Sequence, residues 1–239
     1  MREDIFLLGY IRQEENRHFR TRLTWEEMAG IPFCVLHCGE SHTRRRKRRL
    51  LRLLRQMAQQ GVHQAVMPPA MTALCRAEGI APVSEAPLRH ALMEPLLDCF
   101  CRQNGLDLHR STVRLCAKRM NSTVEQAAVM LVQKARYMVL DIGQGQEKLS
   151  DWLRMEYGLS AGHSGRGAIM QVCCDDVQAE NMPTLWLGQA CEAHQRVRYR
   201  LLEPWCGQIE EEPQLLSVLF TERKLPVEAF GIKTVESDA

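Results

Sequence analysis

Residues 111–172 read STVRLCAKRMNSTVEQAAVMLVQKARYMVLDIGQGQEKLSDWLRMEYGLSAGHSGRGAIMQV, and the pattern of this segment defines the architecture of the chain. Three apolar runs within it predict buried strands, at 112–117, 137–142 and 168–172. Each pair of runs is separated by a segment with helical character. The pattern is therefore β-α-β-α-β.

Both intervening helices carry end signals. The first is predicted to open through a capping box, in which Ser122 and Glu125 satisfy each other's backbone amides. The second runs from Gln146 to Tyr157 and stops at Gly158, a residue suited to the left-handed conformation that ends many helices. Alternation of strands with helices of this length predicts right-handed crossovers onto a parallel sheet.

The chain as a whole is predicted to form an α/β protein of two domains. A small mixed α/β domain covers 1–83, a connecting helix covers 84–105, and a domain with a mostly parallel sheet covers 106–239. Within the first domain, the strand patterns near 5–11 and 19–25 are expected to pair as a hairpin. The connecting helix is predicted to start at Ser84 and to kink or break at Pro95.

The composition is that of an ordinary globular protein, with 239 residues, 45% hydrophobic and 25% charged. No apolar run approaches the roughly 18 residues needed to span a bilayer, and no apolar segment follows the first residues as in a signal peptide. We therefore expect a cytoplasmic protein without membrane association, and reduced thiols for its ten cysteines. The sequence leaves the oligomeric state open.

Charge is unevenly distributed although the net charge is only +2. Residues 1–60 contain 13 Lys and Arg but 7 Asp and Glu. Much of this excess lies in a predicted amphipathic helix, where Arg44, Arg45 and Arg48 open the polar face. Cations at a helix start oppose the helix dipole, which favours a bound anion over that turn.

Three interpretations of the basic run stay open: a solvated surface, a bound anion that is either a phosphate-bearing ligand or nucleic acid, or the acidic surface of a partner protein. Nucleic acid is disfavoured because the run contains no interleaved aromatic residue for base stacking, and no zinc-finger or RNA-recognition motif accompanies it.

The central unit resembles the NAD(P)-binding Rossmann-like superfamily in its order of elements. The resemblance implies a glycine fingerprint at the first crossover turn, but Arg119, Asn121 and Val124 occupy the three glycine positions. Asp141 matches the position of the acid that binds the ribose in that family. The resemblance therefore implies the topology, and the missing glycines argue against NAD(P) bound in the usual mode.

Other candidate ligand contacts follow from location. Asn121, Ser122 and Thr123 form a helix start whose amides and hydroxyls can bind an anion or a cofactor phosphate, although ordinary capping explains the same residues. Asp175 and Asp176 follow a predicted strand, at the sheet edge where α/β proteins place ligands.

No metal site is predicted. Residues Cys34, His37, Cys38 and His42 have ligand chemistry, but their spacing matches no zinc motif and no second cysteine pair follows. The sequence also contains no catalytic motif that pairs a nucleophile with a base, so enzyme status stays open.

Three functional hypotheses remain. The preferred one is a non-catalytic binding or regulatory protein on a degenerate Rossmann-like scaffold. The second is an enzyme that acts on a small anionic substrate or nucleotide in a cleft between the domains. The third is a nucleic-acid-binding protein that uses the helix spanning 44–55.

Overall fold

In a computed structural model of the chain, the structure describes residues 7–14, 21–39, 44–159, 167–175, 177, 181–187, 195–207 and 209–237. None of the helices in these ranges is long and apolar enough to cross a bilayer. The fold is α/β, as predicted. Its contacts divide the chain into two compact units, Met1–Ser84 with Gln214–Leu225, and Glu85–Pro213 with Pro226–Ala239.

The strands are β1 Leu7–Glu14, β2 Arg22–Met28, β3 Ile31–Gly39, β4 Val62–Val66, β5 Ala81–Pro82, β6 Thr112–Arg119, β7 Tyr137–Gln144, β8 Ala168–Cys173, β9 Thr184–Trp186, β10 Gln195–Leu201 and β11 Phe230–Ser237. The helices are α1 Arg44–Gln59, α2 Thr72–Ala77, α3 Ala86–Ala91, α4 Met93–Asn104, α5 Ser122–Lys134, α6 Gln146–Tyr157 and α7 Pro213–Thr221. Short 3₁₀ turns occupy Pro69–Met71, Leu108–Arg110 and Val227–Ala229.

The first unit contains a five-stranded sheet in the order β2-β3-β1-β4-β5. The predicted hairpin between the first two strands is wrong, because β1 pairs in parallel with β3 and β2 pairs antiparallel with β3. A two-residue turn explains this pairing. Ala29 and Gly30 have φ values of 51° and 76°, and positive φ at both central positions is the geometry of the type I′ turn that joins adjacent antiparallel strands.

Helix α1 crosses from β3 to β4 and buries one face. Leu50, Leu54 and Met57 lie in the core of the first unit, together with apolar residues of β3 and β4. The arginines of the opposite face point into solvent. This amphipathic division confirms the sequence prediction.

The closest packing in this core lies at Gly9 of β1. A Cβ atom placed there would lie 2.8 Å from Ala65 Cβ, 2.9 Å from Val62 Cγ1 and 3.0 Å from Met57 Cε. These distances leave no room for a side chain between β1, β4 and α1.

We expect Gly9→Ala to destabilise the protein by about 1–3 kcal/mol through overpacking, measured by urea unfolding. Ala65→Gly in the same chain removes one of the three clashing atoms and is expected to recover part of the loss. A fully stable single variant would contradict the tight packing.

The second unit contains the four-stranded parallel sheet β7-β6-β8-β9. The predicted β-α-β-α-β pattern is confirmed, including the end of α6 at Gly158, whose φ is 67°. The predicted capping box at Ser122 is wrong by one residue. Asn121 is the N-cap residue, and its side-chain oxygen accepts a hydrogen bond of 3.0 Å from the Val124 N–H.

The predicted connecting helix of 84–105 is two helices. The break falls at Leu92, and Pro95 lies in the first turn of α4, where the missing N–H of proline costs no intrahelical hydrogen bond. The N-cap residue of α3 is Glu85, not the predicted Ser84. Helix α4 packs against β11 within the second unit.

The C-terminal strand pattern also differs from the prediction in part. The strand predicted from Thr184 is β9 and extends the parallel sheet, but the next predicted strand does not join it. That strand is β10, which pairs antiparallel with β11 as a separate two-stranded sheet.

The side chain of Gln195 protects the edge of β9. Its amide nitrogen donates to the Thr184 carbonyl at 3.2 Å, and its amide oxygen accepts from the Trp186 N–H at 3.1 Å. A single side-chain amide thus replaces a neighbouring strand. The carbonyl of Gln195 in turn accepts a hydrogen bond of 2.9 Å from Arg89 on α3.

Arg89 is buried, with 1% of its surface exposed, and its guanidinium also pairs with Glu85 at 2.9 Å. We expect Arg89→Met to lower the free energy of unfolding by about 3–5 kcal/mol, because the variant leaves an acid and a carbonyl without their donor.

The matched control is Arg102→Met on the exposed face of α4, which should change stability by less than about 0.5 kcal/mol. Urea unfolding measures both. Equal effects of the two substitutions would show that Arg89 does not anchor the unit.

Candidate functional site

The predicted anion site at the start of α5 is used in part for capping. Asn121 caps the helix and Ser122 is exposed in its first turn. The hydroxyl of Thr123 lies 3.5 Å from Nε2 of His90, which comes from α3. The structure therefore places a histidine beside one of the predicted residues.

Asp141 does not lie at the end of its strand, because β7 continues to Gln144. Its carboxylate is 66% exposed and lies 3.9 Å from the guanidinium of Arg114 on the adjacent strand. The position expected for a ribose-binding acid, beyond the strand end, is therefore not the position that Asp141 occupies.

Asp175 lies at the carboxyl end of the parallel sheet, as predicted. One oxygen of its carboxylate accepts a hydrogen bond of 2.9 Å from the backbone N–H of Lys118, which links the segment after β8 to the end of β6. Asp176 lies outside the described residues. Asp175 thus has a structural role in joining two chain segments at this edge.

Thiols cluster near the same edge without nucleophilic character. A hydrogen bond with Cys116 and burial raise the pKa of Cys173, and burial raises the pKa of Cys174 to about 12. The nine described cysteines are all free, and eight of them are buried. Buried neutral thiols of this kind pack as small apolar side chains.

Arg44, Arg45 and Arg48 are exposed at the start of α1 in the first unit.

Cys34, His37 and Cys38 of the candidate metal group are described in the structure and do not form a metal site with one another. His42 lies outside the described residues, and in the part of the chain that the structure describes no three His, Cys, Asp or Glu side chains are arranged to hold a metal ion. Burial raises the pKa of Cys34 and of Cys38 to about 11.

His37 instead lies between two carboxylates that the sequence analysis missed. Its Nδ1 lies 3.1 Å from Glu14 and its Nε2 lies 2.8 Å from Glu26, at the carboxyl end of β1 and β3. Burial opposes ionisation of Glu26, but hydrogen bonds with His37 and Thr24 outweigh it and lower the pKa of that carboxyl. The alternation of the three strands is the sequence signal for this cluster, since it places these side chains on one sheet face.

A groove of about 470 Å³ lies in the second unit among α3, α4, α5 and α6. Its lining residues come from all four helices: His90, Ala91, Met93, Glu94, Glu125, Gln126, Val129, Met130, Gln133 and Trp152. We call this cavity the four-helix groove. Its size is within the range of small-ligand sites.

The charged residues that line the four-helix groove are acidic. Glu94 and Glu125 are the charged lining residues, and no lysine or arginine belongs to the lining that the structure describes. Glu94 also pairs with Lys134 at 2.9 Å. Met93 and Met130 are buried and supply apolar surface, while Trp152 is half-buried and packs edge-to-face on Tyr157 at 5.7 Å.

Burial lowers the pKa of His90, and a hydrogen bond with the backbone of Leu187 opposes this shift only in part. The imidazole is therefore neutral at pH 7. A neutral ring nitrogen can accept a hydrogen bond from the Thr123 hydroxyl or from a ligand.

His90 and Trp152 were missed by sequence reasoning. Each lies on a helix that was predicted, but the two residues are far apart in sequence and neither belongs to a motif. Only the packing of α3 and α6 around α5 brings them to one groove.

Comparison with known proteins gives little further information. No family model matches the chain, and no curated protein matches it. Among solved structures, the chain is similar to L-tryptophan dehydrogenase from Nostoc punctiforme, with a TM-score of 0.30 and 13% identity over 71% of this chain and 56% of that chain. The chain thus spans little more than half the length of that protein, and this level of similarity does not define a function.

The protonation of His90 should make the free energy of unfolding depend on pH. Because the unfolded chain binds this proton more readily than the folded chain, the free energy of unfolding should fall as pH is lowered through the ordinary histidine value of 6.5. We expect His90→Gln to weaken that fall, measured by urea unfolding between about pH 7.5 and pH 5.5.

The control is His109→Gln, at an exposed histidine of the Leu108–Arg110 turn. It should leave the pH dependence as in the unmodified protein. A His90→Gln variant with an unchanged pH dependence would contradict the burial of a neutral imidazole.

Proposed function

We propose that this protein is a non-catalytic binding protein that takes a small organic cation into the four-helix groove. One observation carries the proposal: the described lining of the groove contains Trp152 and two carboxylates, Glu125 and the Lys134-paired Glu94, and no basic residue belongs to that lining. An indole face and nearby carboxylates are the groups that recognise organic ammonium ions.

The electrostatics favour a cation over the small anionic ligand expected from the helix start. Glu125 lies in the first turn of α5, where its negative charge already complements the helix dipole. A phosphate beside it would meet Glu125 and Glu94 without a described cation in the lining. A neutral His90 adds a hydrogen-bond acceptor and no positive charge.

The turn between β6 and α5 is unsuited to a dinucleotide bound in the usual mode. Only Met120 and Asn121 separate the end of β6 from the start of α5, and the Met120 N–H is bonded to the Gln144 carbonyl at 2.9 Å. Val124 is fully buried, and the Asn121 side chain occupies its N–H. A pyrophosphate approaching in the usual mode needs free amides and a glycine loop at this turn.

Thr123 and His90 supply a pair of polar groups for a ligand. Their separation of 3.5 Å is at the limit of a hydrogen bond, so the hydroxyl and the imidazole lie side by side in the second unit. The thiols nearest the sheet edge are held neutral by their raised pKa values. These observations support the binding hypothesis over the enzyme hypothesis.

Isothermal titration calorimetry with two ligands tests the proposal. Both ligands contain a benzyl group, and they differ in the sign of their charge. We expect benzyltrimethylammonium to bind with a Kd in the millimolar to sub-millimolar range, from about 0.3–0.5 kcal/mol per non-hydrogen atom. Phenylmethanesulfonate, its anionic counterpart, should not bind. Glu125→Gln and Trp152→Leu should each weaken cation binding about threefold or more.

Glu222→Gln, at an exposed acid after α7 in the first unit, is the matched control and should bind the cation as the unmodified protein does. Tighter binding of the sulfonate would overturn the charge assignment. A large rise of the melting temperature with NAD(P) would overturn the proposal that dinucleotides are not the ligand.

A further inference from the structure

We propose that α1 carries a second binding surface, for the phosphodiester backbone of a double-stranded nucleic acid. The surface consists of Arg44, Arg45, Arg48, Arg49 and Arg52, and we call it the arginine face. It belongs to the first unit and does not depend on the four-helix groove.

The five guanidinium groups are exposed and have no ion partner among the described residues. Arg55 on the same helix shows the contrast, because it binds Glu78 through two hydrogen bonds of 2.8 Å and 3.2 Å. Within the part of the chain that the structure describes, a carboxylate therefore pairs with the last arginine of the helix and none pairs with the arginine face. A polyanion would pair with these cations.

The geometry of the helix arranges the five side chains as a continuous strip. Positions 44, 48 and 52 are four residues apart, so they follow one another along the helix with a rise of about 6 Å per step. The strip is about 12 Å long, which is the axial length over which duplex DNA presents about seven phosphate charges. Charge density on the two surfaces is thus comparable.

The first turn of α1 contains no acidic residue, so its cations oppose the helix dipole. Exposed cations at this end of a helix destabilise it, and mutual repulsion among five arginines adds to this cost. A bound phosphate backbone offsets both terms.

Packing of α1 distinguishes nucleic acid from a membrane surface. The apolar side of the helix, formed by Leu50, Leu54 and Met57, is buried in the core of the first unit. An interfacial helix inserts an apolar face between lipids, and α1 has none to offer.

Arginine also binds phosphate oxygens through two parallel hydrogen bonds, a geometry that lysine lacks.

The composition of α1 distinguishes a duplex from a single strand. The helix contains no aromatic residue, and single strands are held mainly by bases stacked on aromatic side chains. Guanidinium contacts to phosphates do not require exposed bases. Binding should therefore be independent of sequence.

Fluorescence anisotropy with the full chain and 20-base-pair duplexes of DNA and RNA tests this surface across a range of salt concentrations. We expect the logarithm of the binding constant to fall linearly with the logarithm of salt, with a slope near about −4.5 for five neutralised phosphates. The triple variant Arg44→Gln/Arg48→Gln/Arg52→Gln should lower affinity at least tenfold at about 50 mM salt and bring the slope to about −2.

The matched control removes the same charge from the second unit, through Arg102→Gln/Arg110→Gln/Arg136→Gln, at three exposed positions. It should retain affinity within about threefold. The charge-conserving variant Arg44→Lys/Arg48→Lys/Arg52→Lys should keep the salt slope, and circular dichroism of all variants shows whether each is folded.

Four results would overturn the proposal: absent or salt-independent binding to the duplexes, equal losses in the two glutamine variants, tighter binding to a single strand of the same length, or binding to phosphatidylserine vesicles in place of the duplexes. The DNA and RNA duplexes are compared to identify which nucleic acid supplies the phosphates.

Discussion

The buried guanidinium of Arg89 is the interaction on which the second unit depends. It bonds Glu85 at one end of α3 and the carbonyl of Gln195 at the start of β10, and the Gln195 side chain then pairs with the edge of β9. A charge this deeply buried is tolerated only where its partners are fixed. Arg89 therefore holds α3 in one position, and the next residue, His90, acquires a defined place beside Thr123.

The sequence predicted elements whose signals are local. The strands of the parallel sheet are continuous apolar runs, and Gly158 marks a helix end by its own conformational freedom, so each could be recognised without knowing its neighbours. The pairing of β2 was missed because it depends on the positive φ of Ala29 as well as of Gly30, and alanine rarely signals such a turn. β10 was assigned to the wrong sheet because an alternating strand fits either partner.

Less of the candidate site than of the fold could be predicted, because the site depends on contacts between residues that are distant in sequence. Thr123 was identified because helix starts are recognisable, but the ligand chemistry depends on what packs beside it. His90 and Trp152 reach the groove through the packing of helices, which no spacing rule in the sequence predicts. Together with Glu94 and Glu125 they favour a cationic ligand, whereas the helix start considered alone favoured an anion. The Cys34–Cys38 group received no zinc assignment because its spacing matches no zinc motif, and the carboxylates that contact His37 follow from the register of β1, β2 and β3.

Charge in this protein is concentrated rather than spread. Helix α1 carries eight basic residues and no acidic ones, and the remainder of residues 1–60 contains five basic and seven acidic side chains. The basic excess of this region is therefore a property of one helix. On a surface with mixed charges, arginines lie beside carboxylates, as Arg55 lies beside Glu78. A row of arginines that has no ion partner among the described residues, over a buried apolar face, keeps its electrostatic potential available to a partner, and a bound polyanion would relieve the cost that these cations impose on the helix.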